Sequence, residues 1–228
     1  SRLKRDPGCF FIFCGLCSVG GARQKGEKQN MTCRVLLIAS TPSPDSVVAA
    51  AARLCYSDVS AADLLVDGSS GKNEKLLEHL WKSGHFSPFE HASFTFAIDG
   101  LSRVASHQLV RHRIASFSQQ SQRYVSMDSP DVIMPSSIAG SPVFAGKFSD
   151  LADQAHQLYR EMVEAGIPKE DARFILPHGW STRLVMTMNA RELHHFFTLR
   201  LCRRAQWEIR DLAGKMLREV RPAAPLLF

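Results

Sequence analysis

Hydrophobic and polar positions alternate over one short stretch of the chain and recur at helical spacing over several others. Between positions 93 and 99, Phe94, Phe96 and Ile98 fall on one side of an extended chain, with small or polar residues on the other. This alternation predicts a strand with one buried face. Short apolar runs predict further strands at 35–39, 123–127 and 182–188.

Helices are predicted where apolar residues repeat every three or four positions, or where start and stop signals enclose a segment. These segments are 44–56, 73–83, 101 to about 113, 142–165, 189 to about 201, and 205 to about 220. The last segment has the clearest apolar face, formed by Ile209, Leu212, Ala213, Met216, Leu217 and Val220. Because helices separate the strands without a regular β-α-β rhythm, the pattern predicts an α+β (mixed α/β) fold.

Composition places the chain among ordinary globular proteins. Of its 228 residues, 45% are hydrophobic and 22% are charged, which suits one domain or at most two and excludes collagen-like and wholly disordered chains. No apolar run reaches about 18 residues, so no membrane-spanning helix is predicted. The net charge is +6, but residues 1–30 supply +4 of it, from six Lys and Arg against two acidic residues. The remaining +2 is less than a duplex-binding domain normally carries.

Residues 1–30 are predicted to be an extension ahead of a single folded domain at 31–228. The apolar run at 10–22 follows a basic start, so a secretory signal stays as the alternative. Met31 directly precedes the first strand-like run, which favours a natural start at that residue. The cysteines of the body are widely spaced, which is typical of reduced thiols in a cytoplasmic protein. They are Cys33, Cys55 and Cys202.

The stretch between Asp99 and Asp128 contains no acidic residue, although it holds four arginines and two histidines. On the predicted helix, Gln108 and Arg111 would share a face. Forked guanidinium groups beside amides and hydroxyls suit a phosphate and the edge of a base. A solvated basic surface is the alternative interpretation. The lack of a compensating acid favours an anion site.

The helix predicted after Asn189 carries polar residues on an apolar stripe. Asn189, Leu193, Phe196 and Arg200 fall on one side of it. A charged side chain along such a seam needs a partner, because an unpaired buried charge is very costly. On a structural interpretation, that partner is a core acid or a subunit contact. On a functional interpretation, it is a ligand anion or a polar ring.

Two histidines and a carboxylate lie close together ahead of the strand at 93–99. They are His85, Glu90 and His91, residue types that bind zinc or iron. No HExxH motif and no second nearby carboxylate accompany them. The sequence therefore predicts no metal site, and a metal-dependent nucleotide hydrolase stays as an alternative.

These segments together resemble the flavin-dependent thymidylate synthases. The signature of that family is Arg-His-Arg, seven residues and then Ser, and here it is Arg111-His112-Arg113 followed by Ser121. The longer stretch RHRIASFSQQSQRY is improbable by chance. The segments AARLCYS, GHFSPFEHASFTF, DARFILP, NAREL and RAQWEIR also match, so the resemblance runs through most of residues 32–221.

The resemblance implies a methyltransferase of dTMP biosynthesis that converts dUMP to dTMP. Its carbon donor would be 5,10-methylenetetrahydrofolate, and its hydride source would be FAD reduced by NADPH. The implied fold is a central, mostly antiparallel twisted sheet flanked by helices, in a cytoplasmic homotetramer with shared active sites. No nucleic-acid or membrane partner is expected. No cysteine nucleophile is expected either, because the flavin carries the hydride and the protein supplies orientation and electrostatics.

Position by position, the resemblance assigns residues to the two ligands. The residues expected to contact dUMP are Gln108, Arg111, Gln119, Ser121, Arg123, Arg173 and Arg200. The residues expected to hold FAD are Cys55, Ser87, Glu90, Arg111, His112, Arg113, Ile114, Asn189, Arg191 and His195. Arg200 would address the pyrimidine, and Arg200, Arg111 and His85 are the expected catalytic residues. The phosphate would lie with Ser121, Arg123 and Arg173, since forked donors suit a dianion.

Two positions depart from the commonest family pattern. Gln119 stands where many members have Glu, and His195 stands where some have Asn. Both residues keep the capacity to form hydrogen bonds but change the charge or the shape of the side chain. The alternative from another class is a nucleic-acid-binding module that uses the strip at 111–124. Flavin absorbance of the purified protein would argue against that module.

Overall fold

An antiparallel sheet is the framework of the protein, whose structure is a computed structural model that describes residues 33–66 and 70–228. The strands are β1 (Arg34–Ser40), β2 (Ser93–Ser102), β3 (Ala115–Gln119) and β4 (Ser181–Asn189). Within the described residues they form a four-stranded sheet in the order β1-β2-β4-β3. The predicted α+β fold with a mostly antiparallel sheet is confirmed. The extension predicted at 1–30 lies outside the described residues.

Helices connect the strands and cover the sheet. The α-helices are α1 (Pro44–Leu54), α2 (Asp63–Val66), α3 (Ser70–Ser83), α4 (Arg103–Leu109), α5 (Ser136–Ala139), α6 (Pro142–Glu164), α7 (Lys169–Ala172), α8 (Ala190–Arg200) and α9 (Trp207–Val220). Two 3₁₀ helices, Ser87–His91 and Arg173–Ile175, lie among the described residues. None of the helices in the described ranges has the length and apolar composition needed to cross a membrane.

β2 is an inner strand, since it pairs with β1 on one side and with β4 on the other. Phe94, Phe96 and Ile98 are buried, as their alternation predicts. The apolar face of α9 packs against β1 and β2, with Leu212 and Met216 fully buried. The face predicted for α9 is therefore confirmed, and burial of this apolar surface is the main source of stability for the sheet.

The helix predicted from 101 to about 113 is shorter in the structure at both ends. β2 continues to Ser102 past a register shift at Gly100, whose φ of +74° would strain a side chain. The Ser102 side chain then caps α4, which spans Arg103–Leu109. Arg111 consequently lies beyond the helix, and the prediction that it shares a helical face with Gln108 is wrong.

The strand predicted at 123–127 is also wrong, because these residues form turns and irregular backbone. The outer strand next to β4 is instead β3, in which Phe117 pairs with Met186. Its sequence, Ala-Ser-Phe-Ser-Gln, contains one large apolar residue and gives too weak an alternation to predict a strand. Pairing with β4 rather than intrinsic propensity keeps this segment extended.

A second, smaller core lies under the loop that follows β3. Met127, Tyr159 and Trp180 are buried there, and the ring nitrogen Nε2 of His156 lies 2.8 Å from the carbonyl oxygen of Met127. These contacts join α6 to the loop, and α6 also packs on the 3₁₀ helix that begins at Arg173. The second core therefore fixes the segments that carry two of the predicted phosphate ligands.

A buried carboxylate connects α9 to the end of β2. Glu208 accepts hydrogen bonds from the backbone nitrogen and the hydroxyl of Ser102, at 2.7 and 2.5 Å. The same hydroxyl accepts a bond from the backbone nitrogen of Ala105 and so caps α4. The position of α4 relative to the sheet thus depends on Glu208.

Candidate active site

A cleft of about 510 Å³ opens between the end of α3, the 3₁₀ helix Ser87–His91 and the first turns of α8. Its volume lies within the range usual for small-molecule sites. Five of the predicted flavin ligands line it, namely Glu90, Ile114, Asn189, Arg191 and His195. Residues without a predicted role line it as well, and these are Trp81, Phe86, Glu192, His194 and Thr198.

The N-cap of α8 positions the polar residues of the cleft. Asn189 ends β4 in an extended conformation, and its side-chain oxygen accepts a hydrogen bond from the backbone nitrogen of Glu192 at 2.9 Å. This cap starts the helix at Ala190 and thereby directs Arg191 and His195 to the cleft. Because the cap occupies the amide oxygen, the amide NH₂ is the group of Asn189 that can bind a ligand.

The two walls of the cleft are joined by an ion pair between Arg191 and Glu90. The Arg191 guanidinium also lies over the Phe86 ring, 6.0 Å from its centroid. Both charged side chains are about half exposed, so the pair contributes little to stability. A ligand phosphate can therefore compete for the guanidinium at small cost.

Trp81 provides an aromatic wall, with its ring 4.8 Å from Phe86 and 4.1 Å from the imidazole of His194. Phe228 stacks on His194 at 4.9 Å. Burial lowers the pKa of His194 to about 4, against a hydrogen bond to the backbone of Leu227 that raises it. His194 is therefore neutral at physiological pH. Its Nε2 atom is buried without a hydrogen-bond partner among the described residues.

A chain of three polar side chains runs behind the cleft. Nδ1 of His112 lies 2.9 Å from a carboxylate oxygen of Glu192, and Nε2 of His112 accepts a hydrogen bond from Nε of Arg200 at 3.0 Å. Arg200 also donates through a terminal nitrogen to the carbonyl oxygen of Gln108 at 3.3 Å. The side chains of His112 and Glu192 are buried. We refer to Glu192, His112 and Arg200 as the polar relay.

The polar relay determines the protonation state of His112. Arginine has no acceptor, so Nε2 of His112 must present its lone pair to Arg200. The ring proton is then on Nδ1 and is donated to Glu192. Burial and the positive charge of Arg200 lower the pKa of His112, against the hydrogen bond that its Nδ1–H donates to Glu192, which raises it. His112 is accordingly a neutral imidazole.

The relay explains the position of Arg200 on an apolar seam. Leu193 and Phe196 are fully buried on that side of α8, as the stripe predicts, and Arg200 follows them half-buried. Its partner is a neutral histidine rather than a core acid. Of the Arg-His-Arg signature, His112 therefore turns inward to Arg200, whereas Arg111 and Arg113 remain exposed.

Two of the three predicted phosphate ligands, Arg123 and Arg173, contact Glu170. Arg123 pairs with the Glu170 carboxylate at 2.7 Å, and Arg173 donates to the Glu170 backbone oxygen at 3.0 Å. The Ser121 hydroxyl accepts a bond from the backbone nitrogen of Arg123 at 3.2 Å. Burial, with a smaller contribution from the nearby charge of Arg173, lowers the pKa of Arg103. This cluster of cations is suited to a bound anion.

Sequence reasoning missed Arg103 and Glu170 at this second cluster, and it missed Glu192 and His194 at the cleft. Arg103 is the first arginine of the acid-free stretch, and Glu170 lies one turn before Arg173. Their positions in the sequence could therefore have indicated both residues. Glu192 had a weaker signal, since acids are favoured in the first turn of a helix.

Gln119 has a structural role in the described residues. Its side-chain nitrogen donates to the hydroxyls of Ser106 and Thr182, both at 3.1 Å. These bonds tie the end of β3 to α4 and β4. Only the amide oxygen of Gln119 is then left to accept a bond from the predicted nucleotide.

The remaining predicted residues lie on exposed turns. Cys55 is the C-cap residue of α1, His85 follows α3, and Ser87 begins the first 3₁₀ helix. All three residues are exposed. Their roles toward FAD or in catalysis remain predictions.

A possible metal cluster in the described residues differs from the one weighed in the sequence. Ligand atoms of His112, Glu192 and His195 lie within 4.8 Å of one another. Both ring nitrogens of His112 are already engaged, one of them by the Arg200 guanidinium. A cation would have to displace Arg200 and tolerate its charge, so His112 and Glu192 are better explained as members of the hydrogen-bonded polar relay.

Comparison with known proteins places this chain and its fold in a recognised class. The family model described as "Thymidylate synthase complementing protein" matches residues 36–226. The chain is 49% identical over 197 residues to a flavin-dependent thymidylate synthase of Geobacter sulfurreducens, covering 86% of this chain and 85% of that one. It is 45% identical over 191 residues to the enzyme of the same name from Pyrococcus furiosus, covering 82% and 78%.

A solved structure agrees with this assignment. The UMP/dUMP methylase PolB from Streptomyces cacaoi, bound with 5-Br dUMP, is similar with a TM-score of 0.75 and 29% identity, covering 86% of this chain and 92% of that one. The fold is thus that of a methyltransferase-type enzyme. The chain belongs to the flavin-dependent thymidylate synthase family. The family resemblance inferred from the sequence is confirmed, and it assigns the chain to dTMP synthesis.

Proposed function

We propose that this chain converts dUMP to dTMP, with 5,10-methylenetetrahydrofolate as carbon donor, FAD as hydride carrier and NADPH as reductant of FAD. The convergence of five predicted flavin ligands on one cleft in front of the polar relay carries this proposal. The names of the relatives support the flavin. The nucleotide bound to the similar methylase supports dUMP as substrate.

The chemistry of the cleft fits a flavin. Trp81 offers a planar aromatic surface, and Arg191 offers a forked donor for phosphate. Bound FAD, once reduced, supplies the hydride that the methylation requires. The residues of the cleft bind the flavin, orient it and exclude water from it.

The pyrimidine of dUMP would lie against Arg200. The bonds to His112 and to the Gln108 carbonyl occupy one donor on each of two guanidinium nitrogens. The other N–H groups of Arg200 stay available to carbonyl oxygens of the pyrimidine. A guanidinium held in this way can stabilise negative charge that develops on the ring during the reaction.

The phosphate of dUMP would be held by Ser121, Arg123 and Arg173. Arg123 is paired with Glu170 at the surface, where an ion pair is worth little. A phosphate dianion can therefore take over the guanidinium of Arg123. Forked contacts from two arginines would fix the nucleotide at the end opposite the pyrimidine.

The reaction would need no cysteine nucleophile. Cys33 is buried, and burial raises the pKa of its thiol to about 11, so it carries no thiolate at neutral pH. Cys55 is exposed on the turn after α1. Cys202 lies two residues beyond Arg200, and substitution is the way to test it.

We propose a cytoplasmic homotetramer in which residues 31–228 form a single catalytic domain and neighbouring subunits complete each active site. Large apolar side chains close to the predicted ligands are exposed in the single chain. Phe174 is 85% exposed, Tyr124 73% and Ile114 68%. Phe174 and Tyr124 each follow a predicted phosphate ligand in the chain, and Ile114 is itself a predicted FAD ligand, so a neighbouring subunit that covers them would also reach the site.

The absorbance spectrum of the purified chain tests the flavin site. A stoichiometric FAD band that bleaches with NADPH under anaerobic conditions is expected. Arg191→Ala should lower FAD affinity about 10-fold, in line with the loss of a charged hydrogen bond. The matched control Arg160→Ala, on the exposed face of α6, should retain FAD.

A colourless protein that gains no absorbance with added FAD would contradict the proposal. If such a protein also bound single-stranded nucleic acid, the strip at 111–124 would become the functional surface. Loss of FAD in Arg160→Ala as severe as in Arg191→Ala would likewise argue against this cleft.

A further inference from the structure

Glu192 is a buried acid with no role among the predicted ligands. It is 6% exposed and lies in the first turn of α8, on the inner side of the cleft. Its carboxylate faces Nδ1 of His112 at 2.9 Å. His195 and, through the imidazole, Arg200 are the other ionisable groups around it. A buried carboxylate is costly unless its partner is well placed, so this position calls for an explanation.

The explanation lies in what Glu192 does to the imidazole. A neutral histidine exists in two tautomers, and the hydrogen bond at one nitrogen decides which of them is present. Glu192 is an acceptor and requires the proton to be on Nδ1 of His112. Nε2 is then left as the acceptor that Nε of Arg200 needs.

The orientation of Arg200 depends on that acceptor. Its guanidinium is held by Nε2 of His112 at 3.0 Å and by the Gln108 carbonyl at 3.3 Å. Without the proton on Nδ1, Nε2 of His112 would carry it and would point an N–H at the N–H of Arg200. The hydrogen bond between His112 and Arg200 would be lost. The long, flexible side chain of Arg200 would then be held only by the Gln108 carbonyl.

We propose that Glu192 is a positioning residue, which holds His112 in its Nδ1–H tautomer and thereby aims the guanidinium of Arg200 at the pyrimidine of dUMP. This inference rests on the proposed function, in which Arg200 addresses the pyrimidine. Glu192 does not contact dUMP in this account, although it forms part of the wall of the cleft proposed for FAD. Its effect should therefore appear at the pyrimidine and not at the phosphate.

Two probes separate these ends of the nucleotide, namely dUMP and deoxyribose 5-phosphate, which lacks the pyrimidine. Affinities are measured on the FAD-loaded protein. Glu192→Leu should weaken dUMP binding about 10- to 100-fold, the range of a charged hydrogen bond, and leave deoxyribose 5-phosphate binding unchanged. Glu192→Gln keeps a carbonyl acceptor for Nδ1–H, so dUMP affinity should stay within about threefold of wild type.

A double-mutant cycle with Arg200→Ala distinguishes positioning from a general structural effect. If Glu192 acts through Arg200, Glu192→Leu should have little further effect on dUMP affinity once Arg200 is removed. The control Phe197→Leu alters the packing of the same helix and should lower the unfolding temperature with dUMP affinity unchanged.

The outcomes also separate this inference from the proposed function. Unchanged dUMP affinity in Arg200→Ala would contradict the function assigned to Arg200. Weakened affinity in Arg200→Ala, together with normal affinity in Glu192→Leu or additive effects in the cycle, would overturn the inference alone. If Glu192→Leu does not fold, Glu192→Gln decides, because a tenfold loss of dUMP affinity in that variant contradicts a role as acceptor.

Discussion

The guanidinium of Arg200 donates its Nε–H to Nε2 of His112 at 3.0 Å, so a cation is held by a neutral imidazole. Protonation of His112 would remove this acceptor and place two positive charges side by side. Since burial lowers the pKa of His112, the imidazole stays neutral below the usual range for histidine. The active form of the site should therefore persist into mildly acidic solution.

This relationship predicts the pH dependence of dUMP binding. The affinity of FAD-loaded protein for dUMP should be flat through neutral pH and fall only below the ordinary titration range of histidine. Titration calorimetry from pH 5 to 8 measures it, with deoxyribose 5-phosphate as the control for titration of the phosphate. Loss of dUMP affinity already on going from pH 8 to pH 7 would contradict a neutral His112.

His194 predicts how stability depends on pH. Its pKa is about 4 in the folded protein against an ordinary value of 6.5, so the unfolded chain binds more protons between these values. The free energy of unfolding should fall by about 2–3 kcal/mol as the pH drops through this window, and be recovered as the pH rises. Denaturant unfolding at several pH values measures the slope.

The variant His194→Phe should flatten that slope, because it removes the buried imidazole. His79→Gln is the matched control, since His79 is exposed on α3 and should leave the slope unchanged. A slope that is the same in wild type and His194→Phe would show that another group is responsible. His112 contributes with the same sign, so the flattening should be partial.

The cap of α8 predicts that Asn189 has separable effects on folding and flavin binding. Asn189→Ala removes the side-chain acceptor and should lower the free energy of unfolding by about 1 kcal/mol. Asn189→Asp keeps that acceptor and should retain stability. Both variants lack the amide NH₂, so both should bind FAD more weakly. Full FAD affinity in Asn189→Asp would contradict a role of the NH₂ group in binding.

Glu208 does not line the cleft, so we expect its substitution to affect stability rather than FAD binding. Glu208→Gln replaces the charged acceptor of the Ser102 hydroxyl with a neutral amide NH₂, which should lower the free energy of unfolding by about 1.5–3 kcal/mol. The variant should still bind FAD under native conditions. Glu78→Gln, at an exposed ion pair, should show no measurable change. Equal stability of the two variants would disprove the role given to Glu208.

Because Arg173 is assigned to the phosphate of dUMP and Arg200 to its pyrimidine, substitutions of the two arginines should affect binding differently. Arg173→Ala should weaken binding of both dUMP and deoxyribose 5-phosphate, by about 10-fold, because it removes a charged contact to phosphate. Arg200→Ala should weaken binding of dUMP alone. Similar losses for both probes in both variants would show that the pyrimidine and phosphate ends are wrongly assigned.

Particular residues show how far the sequence predicts the fold. Alternation at Phe94, Phe96 and Ile98 predicts β2 because one face of that strand is buried on the core, and α9 is predicted for the same reason. β3 is missed because pairing with β4, and not its own pattern, makes it a strand. The error at 123–127 has the same origin, since an apolar pattern there serves the second core and not a sheet.

The sequence motifs point to residues that face the cleft. They do not reveal which buried residues hold those residues in place. Asn189, Arg191 and His195 line the cleft as the family pattern suggests. Glu192 lies among them in the chain, but its importance depends on His112, 80 residues earlier, turning inward to meet it. Long-range pairs of this kind are set by the packing of α8 against the loop after α4, which local sequence does not encode.

Anaerobic turnover tests the central claim most directly. The purified protein is mixed with dUMP, 5,10-methylenetetrahydrofolate, FAD and NADPH, beside the variants Arg200→Ala and Cys202→Ser, and dTMP is measured. The account predicts that wild type and Cys202→Ser form dTMP and that Arg200→Ala does so at a rate reduced by at least about 100-fold. Absence of dTMP from the wild type, or its loss in Cys202→Ser with Arg200→Ala still active, would contradict the account.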